Sequence, residues 1–534
     1  MFFVFNEKLQ IKLNFLLPRI NNLAYLQVQT IAKSNSGQNK EIRNSMSRAI
    51  IIGSGIGGMA VAIRLARRGV NVDVFESAQK PGGKVVQREF DGFRFDAGPS
   101  LLTLPELIFD LLDEDLRFAV RKLEIITRYF YPDNTQLTAF SNIDKLTEEF
   151  STKLNVAPQK VNSYLQKASK VYELTSDLFI FGSFHRARNL MNLKSLNTLL
   201  NFRQLHAFSN LHEFNERELG EKRLVQLFDR YATYNGSNPY QTPATLSVIT
   251  HLEHNLGAYI PENGMYCITD ALYKQALRLG VNFHFDQRVE KVGTTGKNVS
   301  GIWVKEQFVP AEIVVSDIDV HQFYSKLLPD KKRLKRIEKE ERSSSALIFY
   351  WGMKGMSSEL DVHNIFFSND YREEFRQLFE LKNLSDDPTV YVYISSKYHP
   401  GDAPAGCENW FVMINAPADI GQNWDGLISA ARKNIISKLS KMFKQDIGER
   451  IQCEQVLSPP DIFKQTGSVN GSLYGSSSNS RYASFNRHAN FRRDICGLYF
   501  VGGSVHPGGG IPLCMSSAGI VAGLVSEQLQ KQQK

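Results

Sequence analysis

The 534-residue sequence has only five cysteines, an odd number, and none of them form a C-x-x-C pair. Without such a pair we expect no zinc or other metal site, and the odd count argues against a disulfide framework. This cysteine usage is typical of a reduced, cytoplasmic protein. The chain also lacks an uncharged apolar run of about 18 residues, which excludes a polytopic membrane protein.

A strong excess of charge is missing as well. The chain carries 63 basic and 55 acidic residues, a net charge of +8, which is mild for a protein of this size. No nucleic-acid-binding motif accompanies that charge, so we expect no nucleic-acid partner. Apolar residues at 42% and charged residues at 22% are typical of a soluble globular protein, and the length predicts two sizeable domains.

Residues 1–45 differ from the rest of the chain. Glu7, Lys8 and Lys12 interrupt the apolar start before the core of a signal peptide can form, and residues 32–45 are polar. We therefore expect this prefix to be disordered. Two interpretations remain open: the native chain starts at Met46, or the prefix is a short membrane-associating leader.

The first strong motif follows Ala49. A run of β-branched residues leads into Gly53-Ser54-Gly55-Ile56-Gly57-Gly58, then into a helical pattern and a second strand that ends at Glu76. This order matches the dinucleotide fingerprint G-x-G-x-x-G, in which the glycines allow a tight turn and a close approach of the pyrophosphate to a helix N-terminus. Glu76, placed 18 residues after Gly58, is the predicted acceptor for the ribose hydroxyls.

The next segments resemble the FAD-containing amine oxidase and carotenoid desaturase superfamily. The resemblance is carried by KPGGK at 80–84, by FDGFRFDAGPSLL at 90–102, and by a helix and strand after PENGM at 261–265. It implies FAD as the cofactor and assigns further cofactor contacts to Gly82, Gly83, Lys84, Asp96, Gly98, Pro99 and Val289. The family more often has Arg where this chain has Lys84, which keeps the charge but loses bidentate geometry.

A glycine loop near the C-terminus completes the cofactor site. It follows a predicted buried strand at 498–501 and precedes a helix that begins near Ile511-Pro512. The N-terminus of that helix can direct N–H groups at the electron-rich edge of a reduced flavin. The remaining cofactor-binding candidates are therefore Gly502, Gly503, Gly510, Ile511 and Pro512.

The expected architecture is α/β: a discontinuous Rossmann-type FAD-binding domain with an inserted α+β substrate domain. FAD binding is assigned to residues 46–125, 255–330 and 480–534, and the substrate and membrane-associating domain to 126–254 and 331–479. In the second group the patterns ALIFYWGM, PTVYVYISS and NWFVMIN predict an antiparallel sheet beneath the substrate cavity.

Three segments are similar to bacterial-type carotenoid desaturases: GSVHPGGGIPL at 503–513, RYATYNGSNPYQTPATL at 230–246 and HNIFFSNDYREEF at 363–375. The sequences of these segments are most similar to those of the 1-hydroxycarotenoid 3,4-desaturases. The resemblance implies an enzyme of carotenoid biosynthesis that introduces C=C bonds by hydride transfer to flavin N5. The alternatives are a phytoene desaturase, a carotenoid cis–trans isomerase and an FAD amine oxidase.

No catalytic dyad is evident. A cation that develops beside a polyene is delocalised along it, so a strong protein base is not obligatory. His506 is one polar candidate, with a structural histidine as its alternative. Arg230 and Tyr234 are candidates for binding a terminal hydroxyl of the substrate. The alternative interpretation is that they form a pair on a helix surface.

A C40 polyene resides in the bilayer, so we expect the protein to bind the inner face of a membrane peripherally. The segment from Leu178 to Leu211 contains no Asp or Glu but mixes aromatic residues with Arg186, Arg188, Lys194 and Arg203. An ordinary helical hairpin is the alternative. The electron acceptor that reoxidises the flavin is either oxygen or a quinone, and the sequence does not distinguish them.

Overall fold

A five-stranded parallel sheet carries the glycine motif. Numbered along the chain, its strands lie in the order β19 (Leu498–Phe500), β13 (Ile313–Ser316), β1 (Arg48–Ile52), β2 (Asn71–Phe75) and β9 (Asn282–His284). The central strand β1 is rich in isoleucine and buried on both faces, as the middle of a covered parallel sheet requires. This confirms the α/β fold class with a Rossmann-type sheet.

The computed structural model describes residues 47–186, 201–206, 208–480 and 482–532. The predicted prefix 1–45 lies outside these residues. The helices of seven or more residues in the described part are α1 (Ile56–Ala66), α2 (Ile143–Leu154), α3 (Pro158–Thr175), α4 (Leu211–Leu219), α5 (Lys222–Asp229), α6 (Tyr266–Arg278), α7 (Lys331–Ile337), α8 (Tyr371–Phe379), α9 (Trp424–Phe443), α10 (Pro459–Thr466) and α11 (Ile511–Gln532).

The parallel sheet is the middle of three layers. Ala49 and Ile51 of β1 pack into a core with α1, α6 and α11. Ile50 and Ile52 point the other way, into a core with the antiparallel strands β10 (Val289–Thr295), β11 (Asn298–Val304) and β12 (Gln307–Pro310). Because side chains alternate along a strand, one run of isoleucines serves both cores.

A seven-stranded sheet forms the second part of the molecule. Its strands lie in the order β18 (Ile451–Leu457), β14 (Ser345–Lys354), β17 (Cys407–Ala416), β16 (Val390–Ile394), β15 (His363–Phe366), β6 (Ile125–Phe130) and β7 (Gln136–Phe140). β14, β17 and β16 are antiparallel neighbours, as the sequence predicts. Helix α9 packs its buried residues against one face of this sheet.

Four short strands complete the sheets. They pair as β3 (Gln87–Phe90) with β4 (Phe93–Asp96), and as β5 (Val120–Lys122) with β8 (Tyr259–Pro261). The first pair leads directly into the turn that contains Gly98 and Pro99. The division of the chain into two discontinuous domains stays a prediction.

One predicted strand is wrong. VNFHFDQRVEKV at 281–292 reads as a single strand, but the structure divides it between β9 in the parallel sheet and β10 in the three-stranded sheet. Asp286 adopts a positive φ of 53°, and its amide donates to the Ala78 carbonyl at 3.1 Å. The next amide, that of Gln287, donates to the Glu76 carbonyl at 2.9 Å. These long-range bonds replace the ladder of a continuous strand.

Candidate functional site

The glycine turn, residues 53–58, joins β1 to α1. Gly53 has a φ of +99°, a conformation that favours glycine. A Cβ on Gly58 would collide with the Gly53 carbonyl oxygen, so the third glycine lets the helix pack closely on the strand. Gly53, Gly55, Ile56 and Gly57 line a large cavity, whereas Ser54 and Gly58 lie behind the surface of that cavity.

Glu76 stands beside this turn at the end of β2. Its Oε2 accepts hydrogen bonds from the backbone N and the Oγ of Ser54, both at 2.8 Å. Its Oε1 accepts from the Ala78 amide at 2.8 Å. These bonds hold the carboxylate at the cavity surface, where Val289 at the start of β10 also lies. A ribose hydroxyl can therefore be bound without rearrangement of the acid.

The Gly82-Gly83-Lys84 segment packs directly on the glycine turn. The Gly82 amide donates to the Ser54 carbonyl at 3.0 Å, and Gly82 forms a bridge with Gly55. The Lys84 Nζ donates to the Leu473 carbonyl at 2.6 Å, and burial lowers the pKa of this ammonium. All three residues line the cavity, so an anionic ligand beside this segment would meet the Lys84 ammonium.

The structure separates Asp96 from its predicted neighbours. Gly98 and Pro99 line the cavity, but Asp96 is 1% exposed and lies beneath it. Its carboxylate accepts from Arg94 at 2.8 Å, from the Tyr393 hydroxyl at 3.0 Å and from the Met265 amide at 3.0 Å. Asp96 therefore ties β4, β16 and the start of α6 together, and it does not reach a ligand in the cavity.

The C-terminal loop closes the same side of the cavity. Gly502, Gly503, Gly510, Ile511 and Pro512 line it, and α11 begins at Ile511. The loop thus brings a helix N-terminus to the cavity, as the sequence predicts.

His506 does not line the cavity. Its Nε2 lies 2.7 Å from the Gly182 carbonyl oxygen, and its ring contacts Phe184 edge-on. Burial lowers the pKa of His506 to about 4, so the ring is neutral near pH 7. The candidate catalytic histidine is therefore placed as a structural histidine that holds the loop to the segment after α3.

Two cavity residues were missed by the sequence reading. Asp317 follows β13, and its Oδ2 accepts from the Gly58 amide at 2.9 Å. Arg487 is 3% exposed and donates to the carbonyls of Tyr474, Gly503 and Ser476. Neither residue is part of a recognised sequence motif. Asp317 directly follows β13, a strand that no sequence motif identified, and no local signal marks Arg487.

The remainder of the cavity is mainly apolar. The whole space measures about 1560 Å³, more than a single drug-sized ligand requires. Its apolar lining comes from the seven-stranded sheet and from the helical segments opposite: Phe179, Ile180, Leu246, Ile249, Leu252, Ile348, Ile365, Phe411 and Met413. A long hydrocarbon next to the glycine turn fits this lining.

A buried polar group, the Arg–Tyr–Glu cluster, interrupts the apolar lining. It consists of Tyr129, Arg230, Tyr231, Tyr234 and Glu253. The Arg230 guanidinium donates to the hydroxyls of Tyr129 at 2.9 Å and Tyr234 at 3.2 Å, and lies 3.5 Å from Glu253. Tyr231 and Tyr234 donate to the two oxygens of Glu253 at 2.7 and 2.6 Å.

Three members of this cluster, Arg230, Tyr234 and Glu253, line the cavity. Burial acts to lower the pKa of Arg230, but the tyrosines and Glu253 hold it above its ordinary value. The alternative of a helix-surface pair is therefore wrong, because Arg230 is only 7% exposed and lies in a buried 3₁₀ turn. The cluster offers hydroxyl and guanidinium groups to a polar end of an apolar ligand.

A second polar chain reaches the same lining. The Ser100 Oγ lies 2.6 Å from the Tyr391 hydroxyl, which lies 2.7 Å from the His363 Nδ1. The His363 Nε2 is buried without a hydrogen-bond partner in the described part of the chain. Burial lowers the pKa of His363 to about 3, so the ring is a neutral hydrogen-bonding group.

The residues at the parallel-sheet end fit a flavin dinucleotide. A Cβ on Gly55 would lie 2.5 Å from the Asp317 Oδ2, so a side chain at this position would have to displace that carboxylate. Glu76 for the ribose, Lys84 and the N-termini of α1 and α11 face a single continuous space. FAD is the cofactor that this donor set accommodates.

Comparison with known proteins agrees with this arrangement. The family model described as flavin containing amine oxidoreductase matches residues 56–526. A solved structure, the cyclohexylamine oxidase from Brevibacterium oxydans IH-35A, superposes with a TM-score of 0.60 at 12% identity and covers 91% of this chain and 100% of its own. At that identity the likeness concerns the fold alone.

Two curated relatives are similar over nearly their whole lengths. The 1-hydroxycarotenoid 3,4-desaturase of Flavobacterium sp. (strain P99-3) is 45% identical over 90% of this chain and 99% of its own. The 4,4'-diaponeurosporene oxygenase of Staphylococcus aureus (strain MSSA476) is 30% identical over 91% of this chain and 99% of its own.

Proposed function

Because the chain belongs to the flavin-containing amine oxidoreductase family, we propose that it is an FAD-dependent carotenoid desaturase of carotenoid biosynthesis. The preferred reaction is 3,4-desaturation of a 1-hydroxycarotenoid. One observation carries this proposal: the cavity that begins at the glycine turn continues into an apolar lining interrupted by the buried Arg–Tyr–Glu cluster. The 45% identity to a 1-hydroxycarotenoid 3,4-desaturase supports the same substrate class.

FAD supplies a hydride acceptor when it is bound. The residues that would hold it are the glycine turn, Glu76, Gly82–Lys84, Val289 and the loop from Gly502 to Pro512. All of them lie within the proposed cofactor-binding ranges 46–125, 255–330 and 480–534. Lys84 and the amides at the start of α1 and α11 would balance the negative charge of the diphosphate and of the reduced ring.

The substrate residues orient the polyene and exclude water. Apolar side chains from β14, β15 and β17 line the floor of the cavity, which removes water from the reacting bond. A neutral His363 and the Arg–Tyr–Glu cluster are polar groups of the lining that would bind a terminal hydroxyl. A strong base is not needed, because positive charge that develops beside the conjugated chain is delocalised along it.

The alternatives differ in what the polar cluster would do. A phytoene desaturase or a carotenoid cis–trans isomerase acts on a hydrocarbon, so burying Arg230 and Glu253 beside its substrate would serve no recognition. An amine oxidase would place a cation in the cavity, where the lining is mainly apolar and the Glu253 carboxylate is already paired with Arg230. The cluster therefore favours a substrate with a neutral hydroxyl end.

Product analysis tests this assignment. The chain is coexpressed in cells that accumulate either lycopene or a 1-hydroxylated carotenoid, and the pigments are identified by mass and absorption spectrum. We expect loss of two hydrogens from the hydroxylated carotenoid and much less conversion of lycopene. Equal conversion of both, or conversion of lycopene alone, would contradict the preferred substrate.

A matched pair of tyrosines tests the role of the cluster. Tyr234 lines the cavity whereas Tyr231 does not, yet both hydroxyls donate to Glu253. We expect Tyr234→Phe to reduce the preference for the hydroxylated carotenoid about 10-fold, the effect of one lost hydrogen bond. Tyr231→Phe should leave that preference near its original value. The same loss in both variants would indicate a structural role for the cluster.

We also infer that the protein binds the inner face of the membrane peripherally to reach its substrate. None of the described helices is long and apolar enough to cross a bilayer. Three aromatic residues in segments that adjoin the cavity lining are exposed: Phe181 at 39%, Tyr482 at 68% and Phe485 at 52%. Phe485 also lines the cavity and contacts Phe179, so this aromatic surface leads directly to the substrate space.

One of the basic residues predicted for this surface is paired within the protein. Arg186 forms an ion pair with Glu527 of α11 at 2.8 Å. Arg188 and Lys194 lie outside the described residues. The aromatic residues therefore carry the proposal.

Vesicle sedimentation tests the membrane proposal. We expect the double variant Phe181→Ser with Phe485→Ser to shift from the pellet of phosphatidylglycerol-containing vesicles to the supernatant, since apolar burial at the interface is lost. Phe308→Ser is the matched control, because Phe308 is 43% exposed but lies in β12. Unchanged sedimentation of the double variant would remove this surface as the membrane contact.

A further inference from the structure

The Asp317 carboxylate lies inside the glycine turn. Its Oδ2 accepts from the Gly58 amide at 2.9 Å. A Cβ on Gly55 would lie 2.5 Å from Oδ2, and one on Gly57 would lie 2.8 Å from Oδ1. Gly502 of the C-terminal loop approaches Oδ1 so closely that a Cβ there would collide with it. An acidic side chain thus occupies the space between the glycines at the start of α1.

The diphosphate of FAD is expected to bind at the same place as this carboxylate. The start of the first helix of a dinucleotide-binding fold takes the diphosphate, because its free amides and its dipole favour negative charge. The diphosphate of FAD carries two negative charges. An ionised Asp317 would repel them at close range in a partly buried site, and a protonated Asp317 would instead be a hydrogen-bond donor to a phosphate oxygen.

The charged groups around Asp317 come from four elements. Glu76 at the end of β2 adds negative charge, and Asp319 on the same loop is paired with Arg342 at 3.3 Å. Lys84 is the neighbouring cation, but its ammonium is hydrogen-bonded to the Leu473 carbonyl. Cys514 of α11 is buried, and its pKa is raised to about 12, so it is neutral.

Burial, reinforced by Glu76 and opposed by the Gly58 amide and Lys84, raises the pKa of Asp317 to about 7. The carboxyl thus already titrates near neutral pH before a diphosphate adds its charge. A further anion at contact distance raises it again.

We propose that Asp317 takes up one proton when FAD binds, so that the affinity for FAD decreases as the pH rises above neutrality. The inference rests on FAD as the cofactor of the proposed function and not on the carotenoid substrate. Below neutral pH the proton is already present and binding is pH-independent. Above it, each FAD that binds must bring one proton from solution, and the dissociation constant rises toward the limit of about tenfold per pH unit.

The test measures FAD dissociation from the full chain. FAD-loaded protein is diluted at several pH values between about 6 and 9, and free FAD is measured by its fluorescence. We expect the dissociation constant of the wild type to rise at least about tenfold across this range. Asp317→Asn keeps an oxygen for the Gly58 amide but cannot ionise, so its dissociation constant should be nearly independent of pH and lower than that of the wild type at pH 9.

Asp319→Asn is the matched control, because it removes a carboxylate from the same loop and leaves Asp317 in place. It should keep the pH dependence of the wild type. A second measurement needs no variant: titration calorimetry of the wild type at pH 8 in two buffers of different ionisation enthalpy should show uptake of about one proton per FAD.

A dissociation constant that does not change with pH in the wild type would overturn the inference, as would equal pH dependence in wild type and Asp317→Asn. Either result leaves the proposed function intact, since FAD still binds. A wild-type chain that binds no FAD at any pH would instead contradict the proposed function itself.

Discussion

At the scale of single residues, the glycines near the cofactor space differ in what a side chain would meet. A Cβ on Gly55 would press on the Asp317 carboxylate, 2.5 Å away, whereas a Cβ on Gly523 in α11 would meet no atom within 4 Å. The first position is therefore restricted by a close approach at the ligand surface. The second lies inside a helix, where alanine is more favourable than glycine.

Replacing Gly55 with Val should abolish FAD binding, because a branched side chain would fill the space next to the start of α1. The purified variant should lack the flavin absorption band near 450 nm while its circular dichroism stays close to that of the wild type. Gly523→Ala is the control and should retain full flavin content. If Gly55→Val kept a full complement of FAD, the glycine turn could not be the diphosphate site.

The sequence alone identifies residues whose role depends on local spacing. The turn at 53–58 and Glu76 are examples, because a strand, a helix and an acid follow one another within one stretch of chain. Asp317 could not be assigned this way, since its partner Gly58 lies 259 positions earlier in the chain. The D-x-G-P spacing groups Asp96 with Gly98 and Pro99, but its carboxylate is bound by the nearby Arg94 and by the distant Tyr393 and Met265.

At the scale of elements, regular patterns predicted strands and helices well where each element is buried along its length. β14, β16 and β17 are such strands, and α11 begins at the predicted Ile511. The division between β9 and β10 was missed, because the alternation of side chains continues through the turn at Asp286. Bonds from this turn to Glu76 and Ala78, not the local pattern, end the first strand.

The loop between β19 and α11 depends on a neutral histidine. His506 is 2% exposed and bonded to the Gly182 carbonyl, and burial lowers its pKa to about 4. In the unfolded chain its pKa is near 6.5, so acid favours the unfolded state through this group. Its contribution is fully present above about pH 6.5 and is lost as the pH falls from there toward 4.

We therefore expect acidification from pH 7.5 to 5 to cost about 2 kcal/mol of stability through His506. His506→Gln removes the titrating ring, so its own loss of stability over the same interval should be smaller by that amount. Urea unfolding of FAD-loaded protein at the two pH values measures both losses. Equal losses in the wild type and the variant would show that His506 does not titrate in this way.

At the scale of the whole molecule, the function depends on one continuous cavity that joins two sheets. The glycine turn, Glu76 and the C-terminal loop line one part, and β14, β15, β16 and β17 line another. Each part is visible in the sequence as strands and turns. The sequence does not show that the two parts form one cavity. The contacts that join them, such as Ser100 with Tyr391 and Tyr129 with Arg230, connect residues far apart in the chain.

A carotenoid substrate in this cavity should reduce the bound flavin. The most direct test mixes FAD-loaded protein with a 1-hydroxylated carotenoid in detergent micelles in the absence of oxygen. We expect loss of the oxidised flavin absorption near 450 nm, which is measured after the pigment has been removed by extraction. The recovered carotenoid should be lighter by two hydrogens in equal amount. Flavin that stays oxidised with the carotenoid but is reduced by a primary amine would contradict carotenoid desaturation as the function.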